Sequence, residues 1–145
     1  MSQENVEIVR RAFTAFERDG LAGMLPHFDC EIEWTTTDGH IEPATYRGYE
    51  GVLHYLGAMA REFDGIRLEA LELIEAGEQV VVTWRIHGRA KLSSAPVEMT
   101  LTSVSLLCDG KIVRVRNYSD KTQALEAVGL SEPASQGGEN PEPRT

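Results

Sequence analysis

The sequence predicts an α+β fold, in which helices come first along the chain and a run of antiparallel strands follows them. Near the start, apolar residues recur at spacings of three and four, which is typical of a helix with one buried face. Further along, apolar and polar residues alternate over several stretches, which is typical of strands. Two of these stretches meet at Asp109-Gly110, a dipeptide that favours a tight hairpin turn because it supplies positive φ at little cost.

Length and composition indicate one domain followed by a tail. The chain has 145 residues, of which 41% are hydrophobic, and this is enough for a single hydrophobic core. Residues 131–145 are rich in Pro, Gly, Ser and Glu and contain no large apolar residue, so they cannot bury enough surface to offset the entropy of ordering. We therefore expect a folded domain over residues 1–130 and a disordered tail over residues 131–145.

The formal net charge of −9 excludes two classes of partner. A nucleic-acid-binding domain needs a basic surface, and an anionic membrane surface attracts Lys and Arg, so we expect binding to neither. No apolar stretch approaches the roughly 18 residues that span a bilayer, and the N-terminus lacks the apolar segment of a secretion signal. The expected location is cytoplasmic.

In the first half of the chain, the pattern predicts three helices and one strand. The first helix buries one apolar stripe and ends at Asp19-Gly20. Its stripe consists of Val6, Val9, Phe13 and Phe16. The next elements are a short helix over Leu21–Phe28, a strand over Glu31–Thr36, a polar loop over Thr37–Arg47 and a helix over Gly48–Phe63.

The second half predicts long antiparallel strands and a short last helix. The stretch Ile66–Glu75 is ambiguous, because its Leu, Glu and Ala content favours a helix while its alternation, with a shift of frame at Leu71, favours a bulged strand. We interpret it as a strand. The other elements are strands over Gln79–Leu92, Val97–Cys108 and Lys111–Tyr118, and a helix over Thr122–Val128 closed by Gly129. A long curved sheet wrapped around helices forms a cone with an internal pocket.

The cysteines and histidines predict no metal site. Cys30 and Cys108 are far apart and lie in no Cys-x-x-Cys pattern, which is typical of reduced thiols. Neither they nor the four histidines have the spacing of metal ligands, and the sequence contains no phosphate-binding loop. We expect neither a metal nor a cofactor.

Three local strings resemble a known family. They are Glu33-Trp34 on the first predicted strand, Tyr46–Val52 at the start of the third helix and Asp109–Leu130 at the end of the domain. Over roughly residues 3–130, the chain resembles a SnoaL-like member of the nuclear transport factor 2-like superfamily. The resemblance implies a conical barrel with a ligand pocket, often a homodimer through the outer face of the sheet, and chemistry that needs no metal or nucleotide cofactor.

The superfamily includes polyketide cyclases, steroid isomerases, epoxide hydrolases, dehydratases and non-catalytic binding modules, so function must be argued from the site. Asp120 is similar to the aspartate that polyketide cyclases of the SnoaL group use as general acid/base near the end of the last strand. The same residue also starts an Asp-x-x-Gln capping box with Gln123, and capping alone explains an aspartate there. Both interpretations stay open.

Two activities of the superfamily match this chain poorly. Steroid isomerases carry an oxyanion-hole tyrosine on the first helix, where this chain has Phe13 and Phe16, and an aspartate base on the first strand, where it has Trp34. Epoxide hydrolases of this fold use an arginine and an aspartate two residues apart on a middle strand. Arg85 matches the arginine, but His87 stands in place of the aspartate.

Strand alternation groups the remaining polar candidates. Arg85 and His87 share one face of their strand, so both lie outside the cone or both lie inside it. Outside, they form a solvated or dimer-facing stripe; inside, His87 is a general acid/base and Arg85 stabilises an oxyanion. Arg116 and Tyr118 likewise share a face with Asp120.

The sequence predicts a protein that binds a small, largely apolar organic molecule in the cone. As an enzyme it would be a cofactor-free isomerase, cyclase or hydrolase; the alternative is a non-catalytic ligand-binding or dimerisation module. The predicted catalytic residues are Asp120 as acid or base, Tyr118 and His87 as its polar partners, and Arg85 or Arg116 as oxyanion stabiliser. The predicted substrate-binding residues are Trp34, Tyr46, Trp84, Arg116, Phe13 and Phe16. Converging titratable groups would indicate an enzyme, and a lining of Trp, Phe and Leu alone a binder.

Overall fold

A computed structural model describes residues 2–36 and 44–130, which form four α-helices, one 3₁₀ turn and six strands. The helices are α1 (Ser2–Asp19), α2 (Leu21–Met24), α3 (Gly48–Glu62) and α4 (Lys121–Ala127), and the 3₁₀ turn is Leu25–His27. The strands are β1 (Phe28–Thr36), β2 (Thr45–Arg47), β3 (Phe63–Ala76), β4 (Gln79–Ala90), β5 (Pro96–Cys108) and β6 (Lys111–Tyr118). None of the helices in these residues is long and apolar enough to cross a membrane.

The strands form one curved sheet in the order β2-β1-β6-β5-β4-β3, and its two edge strands do not meet. The predicted α+β class, with a curved sheet around helices, is confirmed. One pair departs from the antiparallel prediction, because β1 runs parallel to β6. Four strands separate these two along the chain, so no hairpin fixes their relative direction.

The first two helices follow the sequence with one difference. Gly20 ends α1 with a φ of 72°, a left-handed conformation that glycine adopts without steric cost. The second helix is shorter than predicted, since α2 gives way at Leu25 to the 3₁₀ turn and β1 already begins at Phe28. Pro26 has no N–H to donate to the carbonyl four residues earlier, so the α-helical ladder cannot continue through it.

The ambiguous stretch Ile66–Glu75 is a bulged strand, as interpreted from its alternation. The pairing of β3 with β4 passes from Ala70↔Trp84 to Glu72↔Thr83, which leaves Leu71 as the extra residue. A residue inserted in this way changes which face the following side chains occupy. The shift of frame in the sequence is therefore the bulge itself.

The turn between β5 and β6 also has the predicted geometry. Asp109 and Gly110 have φ values of 52° and 80°, and two positive φ angles in succession define the tight primed turn. The turn pairs Cys108 with Lys111 and Leu107 with Ile112, and a bulge at Val113 then shifts the register by one residue, so that Asn117 lies opposite Ser103. This register places both side chains on the inner face of the sheet.

The sheet has two differently covered faces. The inner face packs on α1 and α3 and holds the larger core, which includes Ile32, Val82 and Leu101. On the outer face α4 lies against β4 and β5, where Leu125 and Ala124 bury Val81 and Val104 in a second cluster. Alternation along each strand therefore decides whether a residue faces the interior of the cone or its outside.

Parts of two predicted regions lie outside the described residues. These are residues 131–145, predicted as a disordered tail, and residues 37–43 of the predicted polar loop. The end of that loop is a strand, because Thr45–Arg47 forms β2 and pairs with β1. Tyr46 is buried opposite Trp34 in this pairing, and the burial of its ring favours the extended conformation over a loop.

Candidate functional site

A small cavity lies inside the cone, between α1, α3 and the inner face of the sheet. Its volume is about 30 Å³, close to the share of one water molecule in the liquid. Fourteen residues line it, and none of them is ionisable. The only hydroxyl groups among them belong to Ser103 and Ser105 on β5. The cavity is therefore an apolar space with few polar groups.

Two of the residues that line the cavity, one on each of two helices, are less buried than the others. Twelve of its lining residues are buried, and the two half-buried ones are Phe13 on α1 and Leu56 on α3. The Phe13 ring also packs edge-on against Trp84, with 5.8 Å between ring centroids. The same phenyl ring thus closes the cavity toward solvent and forms part of its wall.

An aromatic cluster forms the wall near β1. Trp34 packs against Phe28 with 5.9 Å between ring centroids and against Tyr55 with 5.7 Å. Tyr46 packs on Tyr55 at 5.3 Å, one layer behind the lining. Burial raises the pKa of the Tyr55 hydroxyl to about 12, with a smaller contribution from Tyr46. At neutral pH, Tyr55 is consequently a neutral phenol and not a base.

A chain of buried hydrogen bonds crosses the inner face of the sheet. The Trp84 indole Nε1 donates to Ser103 Oγ at 2.7 Å, and Ser103 Oγ donates to Asn117 Oδ1. Asn117 Nδ2 in turn donates to the backbone oxygen of Thr35 at 3.1 Å. Asn117 has no exposed surface and Ser103 only 4%, so this network ties β4, β5, β6 and β1 together in the core.

This network was missed in the sequence, although a signal for it exists. Ser103 and Ser105 interrupt an apolar strand on alternate positions, and Asn117 follows Val115 by two residues on the next strand. Polar residues at strand positions whose side chains should lie on the apolar face indicate either a functional site or a buried hydrogen-bonded group.

Trp34 differs from Trp84 in one respect. It is only 5% exposed, and its indole Nε1 has no hydrogen-bond partner among the residues that the structure describes. Leaving a buried N–H without an acceptor costs about 1–3 kcal/mol. Since most buried polar atoms in proteins are hydrogen-bonded, an exception in the lining of a cavity needs an explanation.

Three of the six predicted substrate-binding residues line the cavity. They are Phe13, Trp34 and Trp84. Phe16 packs half-buried against the core without reaching the lining, and Tyr46 lies behind the wall. Arg116 is exposed and pairs with Val104 on β5, which places it on the outer face of the sheet and away from the cavity.

Asp120 lies at the N-terminus of α4. Its carboxylate Oδ1 accepts a hydrogen bond from the backbone N–H of Thr122 at 2.9 Å, and the side chain is exposed. Because α4 covers the outer face of the sheet, Asp120 and the cavity lie on opposite sides of β5. The capping role of Asp120, one of the two interpretations of the sequence, is present in this geometry.

Arg85, His87 and Tyr118 also lie on the outer face. On β4, Arg85 and His87 have the parity of Val81, which packs under α4, and Tyr118 packs against the same cluster. His87 contacts two carboxylates, with Nε2 at 3.0 Å from Glu69 and Nδ1 at 3.3 Å from Glu98. The predicted catalytic set thus shares one face of the sheet, but none of its members lines the cavity.

The described residues contain no group of three or more His, Cys, Asp or Glu side chains arranged to hold a metal ion. Cys30 and Cys108 are both exposed and unpaired with each other. His27 is half-buried beside Lys111, and partial burial, together with the positive charges of Lys111 and Arg11, lowers its pKa.

Known proteins of this architecture define its class. An NTF2-like protein of unknown function from Burkholderia pseudomallei superimposes with a TM-score of 0.71 at 24% identity, over 90% of this chain and 100% of its own. The structure of TerC, co-crystallised with polyporic acid, gives the same TM-score of 0.71 at 23% identity, over 86% and 98% of the two chains. These likenesses place the fold in the NTF2-like class of α+β cones.

The sequence itself gives the family. The model of the SnoaL-like domain matches residues 9–115, which spans most of the described domain, and the chain belongs to this family. An uncharacterised protein from Mycobacterium tuberculosis is 26% identical over 125 residues, which cover 85% of this chain and 94% of the relative. The resemblance drawn from the local strings is confirmed.

Proposed function

We propose that this chain binds a small, largely apolar organic molecule in the cavity of the cone and does not convert it chemically. The observation that carries the proposal is the lining, in which none of the fourteen residues is ionisable. General acid–base catalysis needs a titratable group within hydrogen-bond reach of the reacting atoms. An apolar space with a few polar groups is instead typical of a binding site.

Binding requires the cavity to widen. Its volume of about 30 Å³ is far below the roughly 300–1,000 Å³ of sites for drug-sized molecules. Phe13 on α1 and Leu56 on α3 are the half-buried members of the lining, so they can rotate toward solvent at the smallest loss of packing. Met24 also lines the cavity, and its unbranched side chain adapts readily to a changed space. We propose entry between α1 and α3.

A structure of the same fold gives this proposal a precedent. TerC was co-crystallised with polyporic acid, which supports an organic ligand for a protein of this architecture. An identity of 23% supports a shared fold but not a shared ligand. The chemistry of the ligand of the present chain follows from the residues that line its own cavity. The absence of basic side chains from that lining favours a neutral ligand, because a buried anion without a counter-charge is strongly disfavoured.

Catalysis by Asp120, with His87, Tyr118 and Arg85 as partners, stays a prediction that nothing so far tests. Their positions on the outer face favour binding over catalysis inside the cone. Assembly as a homodimer likewise stays a proposal, and the outer face that carries these residues is the surface it would use.

The test is a titration with α-methylstyrene, a small neutral aromatic hydrocarbon. The chain has two tryptophans, and both line the cavity, so their fluorescence reports on the interior directly. We expect a saturable change in emission for the native chain. In Ala12→Leu, the larger side chain fills the space from α1, at an overpacking cost of about 1–3 kcal/mol, and the saturable change is lost.

The matched control is Thr14→Leu, which adds a leucine to the exposed side of the same helix. It should bind α-methylstyrene as the native chain does. Melting temperatures of both variants show that they fold. A native chain that gives no saturable change, or an Ala12→Leu variant that folds and binds with unchanged affinity, contradicts binding in the cavity.

A further inference from the structure

The starting point is the indole N–H of Trp34. Trp34 lines the cavity and is 5% exposed, and its Nε1 has no acceptor among the described residues. The second tryptophan of the lining, Trp84, donates its N–H to Ser103 at 2.7 Å. Two indoles therefore line one small cavity, and only one of them has an acceptor for its N–H among the described residues.

A resident water is a poor acceptor for this group. The cavity is large enough to hold a water molecule, but a buried water typically makes about three hydrogen bonds. Ser103 already accepts from Trp84 and donates to Asn117, which leaves Ser105 as the one other hydroxyl in the lining. Apart from the two tryptophans and the two serines, the lining residues have apolar side chains, which offer a water no hydrogen bond.

We infer that the ligand of this cavity carries a neutral hydrogen-bond acceptor, a carbonyl or ether oxygen, that accepts from the indole N–H of Trp34. The ligand class is thus an apolar molecule with one oxygen placed toward β1. A carboxylate or phosphate does not fit, because the lining contains no cation to pair with it. The inference rests on the proposed binding function and adds the chemistry of the ligand to it.

The experiment compares two probes of nearly equal shape. Acetophenone carries a carbonyl oxygen where α-methylstyrene carries a CH₂ group. Dissociation constants for both are measured on the native chain and on Trp34→Phe, which keeps an aromatic ring but removes the N–H donor. A neutral hydrogen bond contributes about 0.5–1.5 kcal/mol net, so the preference for acetophenone relative to α-methylstyrene should fall by about 2- to 10-fold in the variant.

A second measurement observes the probes on the native chain and uses a variant only for assignment. The native chain is labelled with ¹⁵N in its two indole groups, and Trp34→Phe or Trp84→Phe assigns the two signals. Acetophenone should move the Trp34 indole proton downfield, and α-methylstyrene should leave it near its position in the free protein. The second probe controls for ring-current effects of the bound phenyl group.

Failure of the hydrogen bond from Trp34 and failure of cavity binding give different results. Suppose that the relative affinity of the two probes is the same in the native chain and the variant, and that acetophenone does not shift the Trp34 signal. The ligand oxygen then accepts no hydrogen bond from Trp34, so the inference fails, but binding in the cavity is still supported. If an immobilised water contacts the Trp34 N–H both with and without acetophenone, the inference fails in the same way. If neither probe binds the native chain, the proposed function fails and this inference fails with it.

Discussion

Ser103 holds Trp84 and Asn117 together across the inner face of the sheet, since its hydroxyl accepts from the indole of Trp84 and donates to the amide oxygen of Asn117. All three side chains are at least 95% buried. Hydrogen bonds in a low-dielectric interior are strong, and a missing partner there is costly. The wall of the cavity at β4, β5 and β6 is therefore fixed by a satisfied network, whereas the indole N–H of Trp34 has no acceptor in residues 2–36 and 44–130.

Ser103→Ala should destabilise the domain strongly, although it removes only one oxygen atom. The change removes the acceptor of Trp84 Nε1 and the donor to Asn117 Oδ1, and each group left unsatisfied costs about 1–3 kcal/mol. We expect the free energy of unfolding in urea to fall by about 2 kcal/mol or more. Ser105→Ala is the control, because Ser105 lines the same cavity without joining this network. Equal losses in the two variants would contradict the role of the network.

The hydroxyl of Tyr55 should ionise only at high pH. Burial raises the pKa of its hydroxyl to about 12 from an ordinary value of 10.0. Its folded-state pKa lies above the unfolded one, so its contribution to stability is complete below pH 10 and is lost as the pH rises toward 12. A spectrophotometric titration at 295 nm should show one late step that Tyr55→Phe removes. A late step that survives in this variant belongs to another tyrosine.

His27 should make the domain less stable in mild acid. Partial burial and the charges of Lys111 and Arg11 lower its pKa below 6.5, so the unfolded chain binds the proton more tightly than the folded one. Stability is then complete above the unfolded pKa and falls as the pH drops through it. Between pH 8 and pH 5, the free energy of unfolding in urea should fall more for the native chain than for His27→Gln, which lacks the titrating imidazole. Identical pH dependence of both proteins would show that His27 contributes nothing.

Local patterns in the sequence are sufficient to predict most of the fold. The stripe of α1, the turn at Asp109-Gly110 and even the bulge at Leu71 each leave a pattern within a few residues, because helix and strand periods are local. The parallel pairing of β1 with β6 leaves no such pattern. It depends on contacts between residues about 80 positions apart in the chain, for example Trp34 with Val115.

The site was harder to predict than the fold. Strand alternation correctly grouped Arg85 with His87, but alternation alone does not say which face of a sheet is the inside. That depends on where α4 packs, and α4 covers Val81 and Val104 on the outer face. The aromatic lining was partly predictable, since Trp34 and Trp84 are large and sit among apolar neighbours, whereas the pairing of Ser103 with Asn117 requires the register of β5 against β6.

The outer face should mediate a homodimer. Within the described residues α4 covers only part of this face, and the remainder carries Arg85, His87 and their neighbours on β3 and β5. Sedimentation at micromolar concentration should give the mass of two chains of 16.1 kDa each. Arg85→Glu reverses a charge on the face and should shift the equilibrium toward monomer, whereas Arg10→Glu on the exposed side of α1 should not. A native chain that sediments as a monomer contradicts the proposal.

Two substitutions of Asp120 distinguish a helix-capping role from a catalytic role. Its carboxylate accepts from the Thr122 N–H, and asparagine caps helices about as well as aspartate, while alanine does not. We expect Asp120→Ala to lower the free energy of unfolding by about 1 kcal/mol and Asp120→Asn to leave it within a few tenths. Because Asp120 and the cavity lie on opposite sides of β5, neither variant should change the dissociation constant of α-methylstyrene. If Asp120→Asn retained full stability but weakened probe binding tenfold, the carboxylate would be part of the site, and the catalytic prediction from the sequence would become the better account.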